Sequence, residues 1–163
     1  MRIQAIPKMV AINNKDFFVN TPTIAVISIM DSGYDRIFTD TSKALTVWFD
    51  DIHPKTIHTF SLADCKAADY IDGCKILDFI EALPPEVNRI MVHCTAGICR
   101  SGAVATYLHE IFTQSMEDIF RRDNPHILPN DWVLDLLWMV TKMREPSPKS
   151  QILTRQSNKG QWL

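Results

Sequence analysis

The stretch TIAVISIMD, residues 23–31, carries almost no polar side chain before Asp31. A strand with one wet face alternates apolar and polar residues, so a nearly continuous apolar run indicates a strand covered on both faces. LTVWF (45–49) and RIMVH (89–93) have the same character, and RIQAIP (2–7) reads as a short first strand. Strands buried on both sides need helical layers above and below. The expected fold is therefore α/β, with a central, mostly parallel sheet of about four strands flanked by helices.

Helical patterns fill the intervals. KDFFVN (15–20) predicts a helical turn. Residues 61–83 show apolar spacing that predicts one long amphipathic helix, capped by Ser61 with Asp64 in its first turn, weakened at Gly73 and ended by Pro84-Pro85. SGAVATYLHEIF after Arg100, MEDIFRR (116–122) and DWVLDLLWMVTKM after Pro129-Asn130 read as three further helices, the last expected to face the core over most of its surface. Residues 1–145 are expected to form one domain, and the polar stretch 146–163 a loose tail.

Composition narrows the function classes. The chain has 163 residues, 46% of them hydrophobic, which suits a domain with a sizeable core. Its formal charge of −2 gives no broad basic field, so nucleic acid is not an expected partner. No apolar run reaches the length of a membrane span, and the first residues lack a secretory apolar region. The cysteines Cys65, Cys74, Cys94 and Cys99 do not form a dense framework, which favours a reducing, cytoplasmic setting. They include no CxxC pair, so neither a metal site nor a cofactor is expected. Cys65 and Cys74 read as core residues on a helix face.

The most informative segment is HCTAGICRS, residues 93–101. An apolar strand ends at His93 and a helix begins near Arg100, so the chain must turn sharply between them. Thr95, Ala96 and Gly97 are small enough to wrap a bound group. With Ile98, Cys99 and Arg100 they form an expected substrate-binding cradle. Their backbone N–H groups can converge as an anion nest, and the following helix adds the positive end of its dipole. Arg100 can offer a planar fork to two phosphate oxygens. Cys94 would lie at the floor, where amide dipoles and the arginine favour its thiolate, a nucleophile facing phosphorus. Ser101 can donate a hydrogen bond to the sulfur and help it leave again.

This segment matches the HCxxGxxR(S/T) signature of the cysteine-dependent protein tyrosine and dual-specificity phosphatases. FDDI (49–52), DFIEAL (78–83) and Pro129-Asn130 extend the likeness toward compact bacterial and phage tyrosine phosphatases, over residues from about 20 to 143. The resemblance implies a metal-independent phosphomonoester hydrolase, with phosphotyrosine as the first substrate to consider. It implies Cys94 as nucleophile, Arg100 as phosphate clamp, Ser101 as leaving-group helper and His93 as a residue that tunes the thiolate. It also implies a general acid on a loop after a strand. Asp51 has that context but lies further upstream than is usual. Asp64 has the family spacing but falls in a helical pattern, and Asp50 adjoins Asp51 with its side chain expected to point the opposite way. The intervening HPKTIHTF, with His53 and His58, reads as an inserted loop.

The run CxxxxCRS also resembles the low-molecular-weight tyrosine phosphatases, which place their acid near the C-terminus. Asp123 and Asp131 enter on that ground. Cys99 is a candidate redox partner for Cys94 or a small apolar packing residue. The loop lacks the lysine that inositol phosphates would favour. Phe17, Phe18, Trp48 and Phe49 are candidate walls of a substrate pocket. Two other functions fit the same loop: a silent phosphate-recognition module, and thiol chemistry of the arsenate-reducing kind.

Overall fold

Four strands form an all-parallel sheet in the computed structural model, in the order β1–β4–β2–β3. The structure describes residues 1–57, 65–113 and 116–144. The strands are β1 (Arg2–Pro7), β2 (Ile24–Met30), β3 (Ala44–Trp48) and β4 (Arg89–Cys94). Their registers pair Pro7 with Cys94 and Met30 with Trp48, so their C-terminal ends share one edge of the sheet. An open parallel sheet gathers ligands at that edge.

All of β2 is buried, as its apolar run requires, and its residues divide by twos between two cores. Ala25, Ile27 and Ile29 join Ile90, Val92 and Cys94 on one face, while Ile24 and Val26 join Met91 on the other. The larger core is covered by α4 (Tyr70–Glu81), α5 (Arg100–Phe112) and α7 (Asp131–Met143). The smaller one is covered by α1 (Lys8–Asn13) and α2 (Lys15–Asn20), with Phe38 from the β2–β3 connection. The remaining helices are the short α3 (Pro54–Ile57) and α6 (Glu117–Asp123).

Three features differ from the sequence expectation. The helix expected over 61–83 begins only at Tyr70. Asp69 caps it: its carboxylate accepts from Asp72 N–H, and the Asp72 side chain accepts from Asp69 N–H. This reciprocal pair satisfies two end donors and competes with any earlier start. The Ser61–Asp64 cap lies outside the described residues. Cys65 consequently precedes the helix, whereas Cys74 sits on it, half-buried against the larger core. Gly73 serves close packing, since a Cβ there would lie 2.9 Å from a Val140 methyl carbon on α7. Finally, α7 buries one stripe (Val133, Leu136, Leu137, Val140) and leaves Met139 and Met143 exposed, so it is amphipathic.

The edge strand β1 is closed by a side chain. Asn124, buried after α6, accepts from Ala5 N–H through Oδ1 at 2.7 Å and donates from Nδ2 to the Ile3 carbonyl at 2.9 Å. It thereby mimics a paired strand at an otherwise open edge. Asn124→Ala leaves a buried donor and acceptor unpaired. A loss of roughly 2 kcal/mol or more is expected in denaturant unfolding, and a loss below about 0.5 kcal/mol contradicts this account.

Candidate functional site

β4 delivers Cys94 to the C-terminal edge of the sheet, and α5 begins six residues later at Arg100. The turn between them depends on Gly97, which has φ +76°. A Cβ at Gly97 would lie 2.4 Å from the Ile6 carbonyl carbon and 2.4 Å from Pro7 N, so the β1 backbone itself excludes any side chain there. The approach is further fixed by Lys8 N–H, which donates to the Thr95 carbonyl at 3.3 Å.

Cys94 is buried, at 2% exposure, under this loop. Its Sγ accepts from Gly97 N–H at 3.3 Å and lies 3.2 Å from Ser101 Oγ. Two polar groups therefore converge on the sulfur from opposite ends of the turn. The N-terminus of a 13-residue helix stands directly after it. Its unpaired amides favour negative charge in the loop.

Arg100 is buried at 3% exposure, and a buried cation requires partners. Nη1 donates to the Phe49 carbonyl at 2.7 Å. Nη2 lies 2.7 Å from Asp31 Oδ1 and donates to Thr95 Oγ1 at 3.3 Å. Thr95 in turn donates to Asp31 Oδ2 at 2.6 Å. Nε has no partner among the described residues. Burial works against the charge of Asp31, but the Thr95 hydroxyl and the Arg100 guanidinium outweigh it and hold the carboxyl below its usual range.

The aspartates after β3 point to different places. Asp50 accepts from Ser32 N–H at 3.1 Å and Lys66 N–H at 2.7 Å, tying the β2 and β3 ends to the returning chain. Exposed Asp51 accepts from Asn130 Nδ2 at 2.7 Å. Cys99 is also beside Asp51: burial first, then that carboxylate, pushes the Cys99 thiol up. Asp64 and His58 lie outside the described residues. His53 packs edge-on against Trp132, with ring centroids 5.3 Å apart.

His93 points through the other face of the sheet from Cys94. It is fully buried near Phe38, with both ring nitrogens unpartnered among the described residues. Burial above all, reinforced by Lys8 and Arg100, pushes its pKa down to about 4. At neutral pH it contributes no cation to the loop.

The candidate wall residues mostly serve the fold. Phe49 is in the larger core and Phe18 in the smaller, while Phe17 is exposed on α2. Trp48 donates from Nε1 to the Tyr34 carbonyl at 2.9 Å. Exposed Tyr34, with Lys8 Nζ 5.1 Å from its ring centroid, stands on the turn after Asp31. Asp123 is ion-paired with Arg2, at the N-terminal end of β1 and so at the far end of the sheet. Asp131 opens α7.

Sequence reasoning missed Asp31 and Lys8 as parts of this edge, and it gave Asn130 only as part of the family likeness, with no partner. The available signal was position, because Asp31 and Lys8 each directly follow a strand in a parallel sheet. A cavity of about 180 Å³ lies elsewhere, between α2 and the β2–β3 connection, lined by Phe18, Val26, Phe38, Lys15 and Lys43. Among the described residues, no group of three His, Cys, Asp or Glu side chains is placed to hold a metal ion, and no helix is long and apolar enough to cross a membrane. Comparison with models of known families and with curated proteins finds no match for this chain.

Two expectations follow. Gly97→Ala forces a side chain into the β1 backbone at positive φ. It should lower stability by about 1–3 kcal/mol; unaltered melting contradicts the geometry. His93 binds its proton more weakly folded than unfolded. The unfolded state therefore takes up more protons at this residue between pH 6.5 and about 4, so the His93 contribution to stability falls as pH is lowered through that window, while Asp72, pushed up by burial, acts in the opposite sense above 3.8. Asp31, Asp69 and Asp123 are held below 3.8 and act lower still. Denaturant unfolding of His93→Asn should show a flatter dependence between pH 6.5 and 4 than wild type.

Proposed function

We propose that this chain is a metal-independent phosphomonoester hydrolase of the cysteine-dependent protein tyrosine and dual-specificity phosphatase kind, with phosphotyrosine as its first candidate substrate. The observation that carries the reading is the convergence of Gly97 N–H and Ser101 Oγ on the buried Cys94 sulfur, in a turn closed by buried Arg100. The resemblance of residues 93–101 to the phosphatase signature supports it independently.

In this reading the substrate phosphate enters the loop, and its oxygens take the backbone amides together with the Arg100 guanidinium. Asp31 must give up Arg100 Nη2 to a phosphate oxygen, while the unpartnered Nε offers a second donor. The Cys94 thiolate attacks phosphorus. A sulfur–phosphorus bond forms as the phosphorus–oxygen bond to the leaving group breaks. Asp51 gives its proton to the departing oxygen. Water then attacks the cysteinyl-phosphate, Asp51 takes the proton, and the sulfur leaves as a thiolate stabilised by Ser101 and Gly97. The loop amides and Arg100 stabilise the equatorial oxygens in both steps.

Hydrolysis of p-nitrophenyl phosphate in EDTA tests the reading. Wild type should turn over, and Cys94→Ser should lose at least about 10³-fold in kcat. Asp51→Asn should lose about 10²-fold or more on phenyl phosphate, whose leaving group needs the proton, and much less on p-nitrophenyl phosphate. An inert wild type that still binds vanadate would sink the hydrolase reading and leave a phosphate-recognition loop.

A further inference from the structure

Asn130, which precedes the last helix, ties that helix to two other parts of the chain. Its Oδ1 accepts from Val133 N–H at 3.1 Å, capping α7. Its own N–H donates to the Cys99 carbonyl at 3.1 Å, fixing it to the cysteine-bearing loop. Its Nδ2 donates to Asp51 Oδ1 at 2.7 Å. One side chain therefore connects a helix cap to an exposed carboxylate from a different part of the chain. The preceding residues reinforce the placement, since Leu128 N–H donates to the Ile98 carbonyl at 3.3 Å. The segment 128–130 is thus laid along the loop by two backbone hydrogen bonds.

The amide orientation follows from this set. Oδ1 is committed to Val133 N–H, so the atom facing Asp51 is the amide nitrogen, a donor only. The carbonyl oxygen of a carboxyl group is a better acceptor than its hydroxyl oxygen, so an N–H bonded to one oxygen favours the proton on the other. The contact therefore favours Oδ2 of Asp51 as the oxygen that holds and releases a proton.

We infer that Asn130 is a positioning residue for Asp51, holding its Oδ1 so that Oδ2 alone exchanges the proton with the leaving group and then with water. The inference rests on the hydrolase reading above. Its chemical content is specific. Asn130 acts on proton delivery, not on phosphate binding, because it contacts neither Arg100 nor Cys94 through its side chain. Its loss should lower kcat in proportion to how much the leaving group needs protonation, and leave KM nearly unchanged.

The cap and the clamp can be separated. Asn130→Ser and Asn130→Asp both retain a good N-cap acceptor for Val133, yet serine is too short to reach Asp51 and aspartate presents an acceptor where a donor is needed. Both variants would be assayed on a series of aryl phosphates of rising leaving-group pKa, beside wild type, Asp51→Asn and the double variant Asp51→Asn/Asn130→Ser, with melting curves for each. The expected result is about 10- to 100-fold lower kcat on phenyl phosphate, little change on p-nitrophenyl phosphate, wild-type melting, and no further loss when Asn130→Ser is added to Asp51→Asn. An equal loss on every substrate, or an additional loss in the double variant, overturns the positioning role while the hydrolase reading stands. A wild type without turnover overturns both.

Discussion

The burial of the Arg100 guanidinium is the constraint around which the edge of the sheet is arranged. A cation at 3% exposure is tolerable only if its donors are met, and the partners come from three separate strand ends. Phe49 follows β3, Asp31 follows β2, and Thr95 follows β4. Removing any of them leaves charge or a donor stranded in the interior, so the three loops are mutually obliged to stay where they are. Gly97 sets the other half of the constraint by letting the β1 backbone close over the turn. Together they hold the Cys94 sulfur at the convergence of two polar groups while it remains inside the core.

The same network places a carboxylate of the chain itself beside Arg100 and Thr95. The Asp31 carboxylate takes a place beside Arg100 and Thr95 that a doubly charged ligand would contest. On the proposed hydrolase reading that exchange would need no unfolding, because Asp31 is partly exposed while Arg100 is also held by the Phe49 carbonyl. On the same reading, a cradle that surrenders one internal ion pair would discriminate against weak anions, because a singly charged ligand would replace Asp31 at little gain.

Much of this architecture was legible in the chain. The apolar runs at 23–31, 45–49 and 89–93 required strands covered on both faces, and the sheet is wholly parallel. The small residues between Cys94 and Arg100 required a tight strand-to-helix turn, and the helix begins at Arg100. What stayed hidden was whatever depends on contacts distant in sequence. The true start of α4 is set by the Asp69–Asp72 pair, which the apolar periodicity over 61–83 masked. Trp48 and Phe49 read as pocket walls because aromatic residues suit both pockets and cores, and only the packing distinguishes them. The positions of Asp31 after a strand and of Asn130 before a helix were legible, but not their partners Arg100 and Asp51, which lie far away in the chain.

The two cysteines of the turn illustrate how one loop can hold thiols of unlike character. Cys94 faces an amide N–H and a hydroxyl. Cys99, near the helix start, faces Asp51, and burial together with that carboxylate keeps its proton on. A raised thiol pKa means that Cys99 carries less thiolate than an unperturbed cysteine would. His93 completes the pattern from the opposite face of the sheet. Buried and neutral at pH 7, it adds no charge to a loop whose charged neighbours include Arg100 and Asp31.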